Sequence, residues 1–154
     1  MKQINAYSFD ELPLNVQNKV IETFQQNEDF PFLSEDLTEY LNILLKQKHI
    51  KGKATLSYDF GGSYEYALFC GTFEHNGILI KVEERSNVPF YSFCDAEKKV
   101  TPKKEEAFKN VYLGICEQLK THGGLIINET LNPKNIIEMI KTNKYSFLAD
   151  GRQV

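Results

Sequence analysis

Two glycine-containing turns near the middle of the chain separate three segments in which apolar and polar residues alternate. Gly61-Gly62 lies between residues 54–60 and 66–73, and Asn76-Gly77 precedes residues 78–82. Asn and Gly both tolerate the positive φ angles of a type I′ turn, which is the turn that best joins two antiparallel strands. The sequence therefore predicts an antiparallel hairpin around Asn76-Gly77, with a further strand before Gly61.

Helical patterns flank these strands on both sides. Apolar residues recur there at intervals of three and four, which is the spacing that buries one face of a helix. A fourth strand is predicted at residues 88–94, with Pro89 at its start or on a sheet edge, because proline cannot donate to a strand ladder. The predicted helices run from Pro13 to Phe24, from an N-cap at Ser34, from Thr101-Pro102 to Gly123-Gly124, and from Asn132-Pro133.

These elements predict an α+β fold. A three- or four-stranded, mainly antiparallel sheet packs against about four helices in the order ααβββ(β)αα. A chain of 154 residues can bury a core without a metal or disulfide, so one domain is predicted over residues 1–154. Residues 145–148 are expected to dock on that core. The tripeptide Tyr-Ser-Phe occurs at residues 7–9, 91–93 and 145–147 in different contexts, and it is interpreted as coincidence.

The composition disfavours several functional classes. A net charge of −3 is unlike the basic surplus of most nucleic-acid-binding domains, so no direct nucleic-acid contact is expected. The N-terminal residues have no apolar core of a signal peptide, and no run of about 18 apolar residues occurs. A cytoplasmic protein without a membrane span is therefore predicted. The oligomeric state stays open, and self-association through a sheet edge is one possibility.

Three cysteines and three histidines supply the candidate nucleophiles and metal ligands. Cys70, Cys94 and Cys116 include no C-x-x-C pair, which favours small buried side chains in a reducing compartment. His49 and His122 fall near predicted helix C-termini, where a cation is favoured by the helix dipole. No histidine pair has metal-binding spacing, so neither a metal nor a cofactor is predicted.

Two combinations of residues are still candidates for a small-molecule site. Cys70 and His75 would form a thiol–imidazole dyad, provided that the surroundings stabilise a thiolate. Asp59 and Glu65 flank the Gly61-Gly62 turn, and His75 is next to the Asn76-Gly77 turn. Together these three residues would form a ligand site or a catalytic site that uses the Gly61-Gly62 turn region, since paired carboxylates bind cations or transfer protons. Solvated loop charges are the alternative interpretation of the same residues.

Charged and aromatic residues also mark candidate protein-binding surfaces. Tyr58 and Tyr64 join apolar area to a polar tip, as is common at interfaces, although strand packing explains them as well. Lysines 98, 99, 103 and 104 surround the start of the third helix, among glutamates that dilute their field. An acidic cluster could engage a basic partner, such as a nucleic-acid-binding protein, or be an ordinary polar helix face; it comprises Glu28, Asp29, Glu35, Asp36 and Glu39.

Several short motifs, taken in order along the chain, resemble a family of small phage and prophage proteins. The start Tyr7-Ser8-Phe9-Asp10-Glu11-Leu12 is similar to the YSFDEL opening of that family. The family continues with a helix, a strand pair around a glycine turn, and an F-x-G strand. The matching pieces here are residues 58–62, Phe69-Cys70-Gly71, residues 115–119, and the tail at 143–151, which resembles N-x-Y-x-F-L-x-D-G.

The resemblance implies a context more than a mechanism. It suggests a phage-encoded, non-enzymatic binding protein that inhibits or modulates a host protein in the bacterial cytoplasm. An anti-defence role, such as that of an anti-CRISPR protein, and an antitoxin-like role both fit this description. A small ligand-binding protein or enzyme that uses the Gly61-Gly62 turn region is the alternative.

Overall fold

A computed structural model describes residues 5–27, 30–61, 65–95 and 99–154. The chain forms two compact units, of which one contains residues 1–30 and 126–154 and the other contains residues 31–125. No composition shift marks either border, and the single domain predicted from the sequence stays a prediction. The elements are β1 (Tyr7–Ser8), a 3-10 turn (Phe9–Glu11), α1 (Leu14–Gln26), α2 (Leu33–Gln47), β2 (Lys51–Gly52), β3 (Thr55–Asp59), β4 (Tyr66–His75), β5 (Ile78–Arg85), β6 (Val88–Cys94), α3 (Pro102–Leu131), α4 (Pro133–Thr142) and β7 (Ser146–Phe147).

The predicted α+β class is confirmed, and the larger unit contains the main sheet. Its antiparallel strands lie in the order β2-β4-β5-β6, and β3 continues the line of β2 along the same edge of β4. The predicted strands are all present, whereas the short β2 was not predicted. Strand β4 is central, since β3 and β5 pair with its opposite edges. Pro89 lies on β6, the last strand in the order, which confirms its edge position.

Two hairpins of the sheet have two-residue turns with positive φ angles. Asn76 and Gly77 join β4 to β5 with φ of 51° and 78°, as a type I′ turn requires. Ser86 and Asn87 join β5 to β6 in the same way, with φ of 52° and 64°. The register is set by these turns, which place Ile80 opposite Phe73 and Phe93 on one face of the sheet.

Helix α3 does not end at Gly123-Gly124, so that prediction was wrong. The helix continues to Leu131. Gly123 is required for packing instead, because a Cβ there would run into the Phe60 ring, 2.9 Å from Cε2 and closer to Cζ. A Cβ on Gly124 would meet no atom within 4 Å. Glycine in this helix therefore makes room for an aromatic ring rather than capping the helix C-terminus.

Helix α2 begins one residue before the predicted N-cap. Ser34 lies inside the helix, and Phe32 occupies the N-cap position without a side-chain hydrogen bond. The predicted apolar face is confirmed, since Leu37, Leu41 and Leu44 are buried. The helix start is thus set by burial of Leu33 and the residues that follow, and not by a serine cap.

Helix α3 and the sheet share an aromatic core centred on Tyr112. The Tyr112 ring lies 4.3 Å from the Phe69 ring and is fully buried. Its hydroxyl donates to the Phe69 carbonyl at 2.8 Å and accepts from the Phe69 N–H at 3.2 Å. Strand β5 pairs only with Gly71–His75 of β4. On the edge of β4 that faces β5, Phe69 thus has no strand partner, and the Tyr112 hydroxyl forms hydrogen bonds with its backbone there instead.

The buried hydroxyl and thiol of this core predict a loss of stability at alkaline pH. Burial raises the pKa of Cys116 from 9.0 to about 12, and burial together with the Cys116 charge raises that of Tyr91 from 10.0 to about 12. Burial also raises the pKa of Tyr112. The unfolded chain loses these protons first, so the free energy of unfolding should fall as the pH rises from 9 to 12. Urea unfolding across this range measures the fall, and a constant stability would contradict the burial of these groups.

The smaller unit joins both chain ends around its own core. Strands β1 and β7 pair antiparallel, with Tyr7 opposite Phe147 and Ser8 opposite Ser146. Two of the three Tyr-Ser-Phe tripeptides therefore lie side by side, and the predicted docking of residues 145–148 is confirmed. The buried residues of this core are Phe9, Leu12, Val20, Ile21, Ile136, Ile140 and Phe147.

Candidate functional site

The structure does not bring Asp59, Glu65 and His75 together. Asp59 is opposite Tyr66, so Asp59 and Glu65 lie at the start of β4, whereas His75 is its last residue. A strand of ten residues spans about 30 Å. Asp59 Oδ1 also accepts from the Gly61 N–H at 2.9 Å, which stabilises the turn locally. The predicted three-residue site is therefore wrong, and Gly62 lies outside the described residues.

The predicted Cys70–His75 dyad is not a nucleophilic pair. The two residues are five positions apart on one strand, so their side chains project from opposite faces. Burial raises the pKa of the Cys70 thiol, and the nearby Glu84 carboxylate raises it further. Cys116 is buried as expected, but Cys70 is only half-buried and Cys94 is exposed, so the prediction of three buried cysteines was wrong for these two.

The histidines lie in different surroundings from each other. His49 follows the C-terminal end of α2, as predicted, with φ of 56°. His122 lies inside α3, because that helix does not end where the sequence suggested. Its Nε2 is 3.0 Å from Asp36 Oδ1, and its ring stacks on Tyr40 with centroids 4.1 Å apart. His122 therefore fixes the position of one carboxylate of the predicted acidic cluster.

An exposed surface on α2 combines this acidic cluster with large apolar side chains. Phe32 is 75% exposed and Ile43 is 53% exposed. Positions 32, 35, 36, 39 and 43 recur on one side of the helix at intervals of three and four residues. We call this surface the α2 outer face, and it consists of Phe32, Glu35, Asp36, Glu39 and Ile43.

The two glutamates carry most of the free charge on the α2 outer face. Glu35 and Glu39 are exposed, and among the described residues neither forms an ion pair. Glu35 and Asp36 lie in the first turn of α2, where the helix dipole favours negative charge. Glu28 and Asp29 of the predicted cluster lie outside the described residues. The part of the cluster that is described thus presents two unpaired carboxylates to solvent.

Tyr58 is partly engaged in packing within the larger unit. It is half-buried on β3, opposite Ala67, and its ring centroid is 5.6 Å from that of Phe60. Phe60 in turn lies against Gly123 of α3. Tyr58 therefore packs on a ring that lies between β3 and α3. Tyr64 lies outside the described residues.

Two other features were not singled out from the sequence. Five basic residues follow one another closely and are all exposed, namely Lys46, Lys48, His49, Lys51 and Lys53. Their composition was visible in the sequence, although cations at the end of a helix also complement its dipole. The other feature is a cavity of about 530 Å³ in the smaller unit, between α1 and the chain's C-terminal residues. No sequence pattern marks it, because its walls come from opposite ends of the chain.

Neither a metal centre nor a membrane span is present in the described part of the chain. No group of three or more His, Cys, Asp or Glu side chains among the described residues is arranged to hold a metal ion. Within residues 5–27, 30–61, 65–95 and 99–154, no helix has the length and apolar character needed to cross a bilayer. Comparisons with protein-family models, with curated proteins and with solved structures found no match to this chain.

Proposed function

We propose that this chain acts by binding another protein through the α2 outer face. The observation that carries the proposal is the exposure of Phe32 and Ile43 on either side of Glu35 and Glu39. The partner would present a basic surface with an apolar pocket. A nucleic-acid-binding protein has such a basic surface, and it matches the host target implied by the resemblance to small phage proteins.

Apolar and charged groups have different roles at protein interfaces. A few large apolar side chains supply most of the affinity when they enter a pocket on the partner. Surface carboxylates contribute mainly to the rate and specificity of association, because they attract a basic surface over a distance. Phe32 is the expected anchor, and Glu35 and Glu39 are the expected steering charges.

The exposed face of the main sheet is a weaker candidate for the same role. It also exposes apolar side chains, including Phe90 on the edge strand β6. Three of its charges have partners on the same face, since Lys81 and Glu83 lie 2.9 Å apart and Arg85 lies 4.9 Å from the centroid of the Phe90 ring. Glu74 is exposed on this face and forms no ion pair with a described residue. The glutamates of the α2 outer face have no such partners among the described residues, so a charged partner gains more there.

The biological context follows from the same proposal. A protein that occupies the basic surface of a host protein competes with the nucleic acid that the host protein binds. This would make the chain an inhibitor of host defence or an antitoxin-like modulator in the bacterial cytoplasm, and no bond of the partner need be made or broken.

The test begins with co-purification of the tagged chain from a phage-susceptible bacterium, followed by affinity measurements with the captured protein. Phe32→Ala should weaken binding by at least about tenfold, as expected for an apolar anchor. The Glu35→Lys/Glu39→Lys double variant should slow association, and this effect should diminish at high salt.

A matched control makes the same change of charge elsewhere. Glu22 on α1 and Glu138 on α4 are exposed helical glutamates in the smaller unit. The Glu22→Lys/Glu138→Lys variant should bind with the affinity of the unmodified chain. Equal loss of affinity in both double variants would show that net charge matters and not the α2 outer face.

A further inference from the structure

The smaller unit contains a cavity with a volume in the range of small-molecule sites. Its volume is about 530 Å³, and sites for drug-sized ligands have about 300–1,000 Å³. One wall is α1, which contributes Lys19, Val20, Thr23 and Phe24. The other wall is the chain segment from Phe147 to residue 153. Both walls belong to the same compact unit.

Hydrogen bonds within the C-terminal segment hold the second wall in place. The Leu148 N–H donates to the Arg152 carbonyl at 2.8 Å, and the Gly151 N–H donates to the Leu148 carbonyl at 2.9 Å. Gly151 has φ of 93°, and a Cβ at this position would lie 3.1 Å from Val16 Cγ1. This glycine permits both the turn and its close approach to α1. Contacts within the chain itself therefore hold this wall against α1.

The cavity has an apolar floor and a cationic rim. Val20 and Phe147 are buried, and Phe24 is half-buried beside them. Lys19 and Arg152 are exposed and line the same cavity, and Lys19 forms no ion pair with any described residue. An apolar floor with a few convergent polar groups is the usual composition of a ligand site.

Among the described residues that line the cavity, the one carboxylate, that of Asp150, is already engaged by Arg152. Asp150 Oδ2 accepts from Arg152 Nε at 2.7 Å, and Asp150 Oδ1 accepts from the Arg152 backbone N–H at 3.1 Å. These hydrogen bonds lower the pKa of Asp150, the backbone one most. A guanidinium has five N–H donors, so four are left for a ligand. Asp150 thus orients Arg152, and the described residues of the rim keep a surplus of positive charge from Lys19.

We propose that this cavity binds a small amphipathic organic anion. The apolar body of the ligand would lie on Val20, Phe24 and Phe147, and its carboxylate, sulfonate or phosphate group would contact Lys19 and Arg152. Charge-assisted hydrogen bonds from a guanidinium and an ammonium favour such head groups. This site is independent of the α2 outer face, which belongs to the other unit.

Two fluorescent probes separate the two parts of the proposal. The anion 8-anilinonaphthalene-1-sulfonate and the neutral N-phenyl-1-naphthylamine have similar aromatic bodies. Both should bind to the unmodified chain at one site, and decanoate should displace both. The Lys19→Gln/Arg152→Gln variant should bind the sulfonate about tenfold more weakly, as expected for lost charge-assisted contacts, and the neutral probe equally well.

Two further variants complete the experiment. Thr23 is an exposed residue of α1 that lines the cavity, so Thr23→Trp should fill it and abolish binding of both probes. The Lys134→Gln/Lys144→Gln variant removes the same charge from exposed positions outside the cavity and should bind both probes normally. Failure of the folded chain to bind the sulfonate, or equal affinity in the two double glutamine variants, would overturn the proposal.

Discussion

Gly71→Ala is expected to destabilise the larger unit by about 3–5 kcal/mol, which is large for a single methyl group. Gly71 has φ of 149°, a conformation that L side chains rarely adopt. A Cβ there would also run into the carbonyl oxygen of Lys53 and lie 3.1 Å from Cζ of Phe73. Lys53 lies between the paired strands β2 and β3, so its carbonyl oxygen cannot move aside as a surface side chain can. The free energy of unfolding in urea, measured by circular dichroism, gives the size of the effect.

Gly77→Ala is the matched control for this substitution. Gly77 also has a positive φ, of 78°, but a Cβ there would meet no atom within 4 Å. Only the backbone conformation then opposes the methyl group, which costs about 1–2 kcal/mol. Equal losses in the two variants would show that β4 can separate from the segment around Lys53, and that the close approach is not needed for stability.

Tyr112→Phe is expected to cost about 1–3 kcal/mol, because it leaves the buried Phe69 carbonyl without the hydroxyl donor and the Phe69 N–H with only the weakly accepting Cys116 thiol. The variant keeps the ring and its packing on Phe69 and removes only the hydroxyl. The Phe69 carbonyl would then lie in the core next to α3 without the hydrogen bond from Tyr112, and the Phe69 N–H would keep only the Cys116 sulfur as an acceptor. Urea unfolding of the two proteins at neutral pH measures the difference.

Tyr40→Phe provides the comparison for loss of a hydroxyl. Tyr40 is half-buried and stacks on His122, and that contact uses the ring. Loss of the Tyr40 hydroxyl should therefore change the free energy of unfolding by less than about 0.5 kcal/mol, as is usual for surface positions. If Tyr112→Phe left the free energy of unfolding unchanged, water would have to reach the Phe69 backbone when the hydroxyl is absent.

Local chain preferences explain why the hairpin was predictable and the end of α3 was not. Asn76-Gly77 forms the expected turn because both residues tolerate positive φ better than other residues do. Gly123 has two possible uses, as a helix cap or as space for a neighbour. The neighbour that decides between them is Phe60, which lies far away in the sequence. The sequence therefore predicted the strands β3 to β6 correctly, whereas the helix that it predicted for α3 was too short.

The candidate functional features also include some that the sequence predicts and some that it does not. Glu35 and Glu39 were predicted to be exposed, because they lie opposite the leucine face of α2. Phe32 could not be placed on the surface from its type, since phenylalanine is most often buried. The cavity of the smaller unit was not predictable either, because Val20 and Phe147, which both line it, are far apart in the sequence.

Photo-cross-linking at defined positions tests the α2 outer face most directly. The photoreactive residue p-benzoyl-phenylalanine would replace Phe32, Ile43 or, as a control, the exposed Leu113 of α3 in separate proteins. After irradiation in the host cell, positions 32 and 43 should each yield a covalent adduct with one and the same basic protein, and position 113 should yield none. An adduct formed from position 113 alone, or the absence of adducts from 32 and 43 when the unmodified chain still captures its partner, would contradict the account.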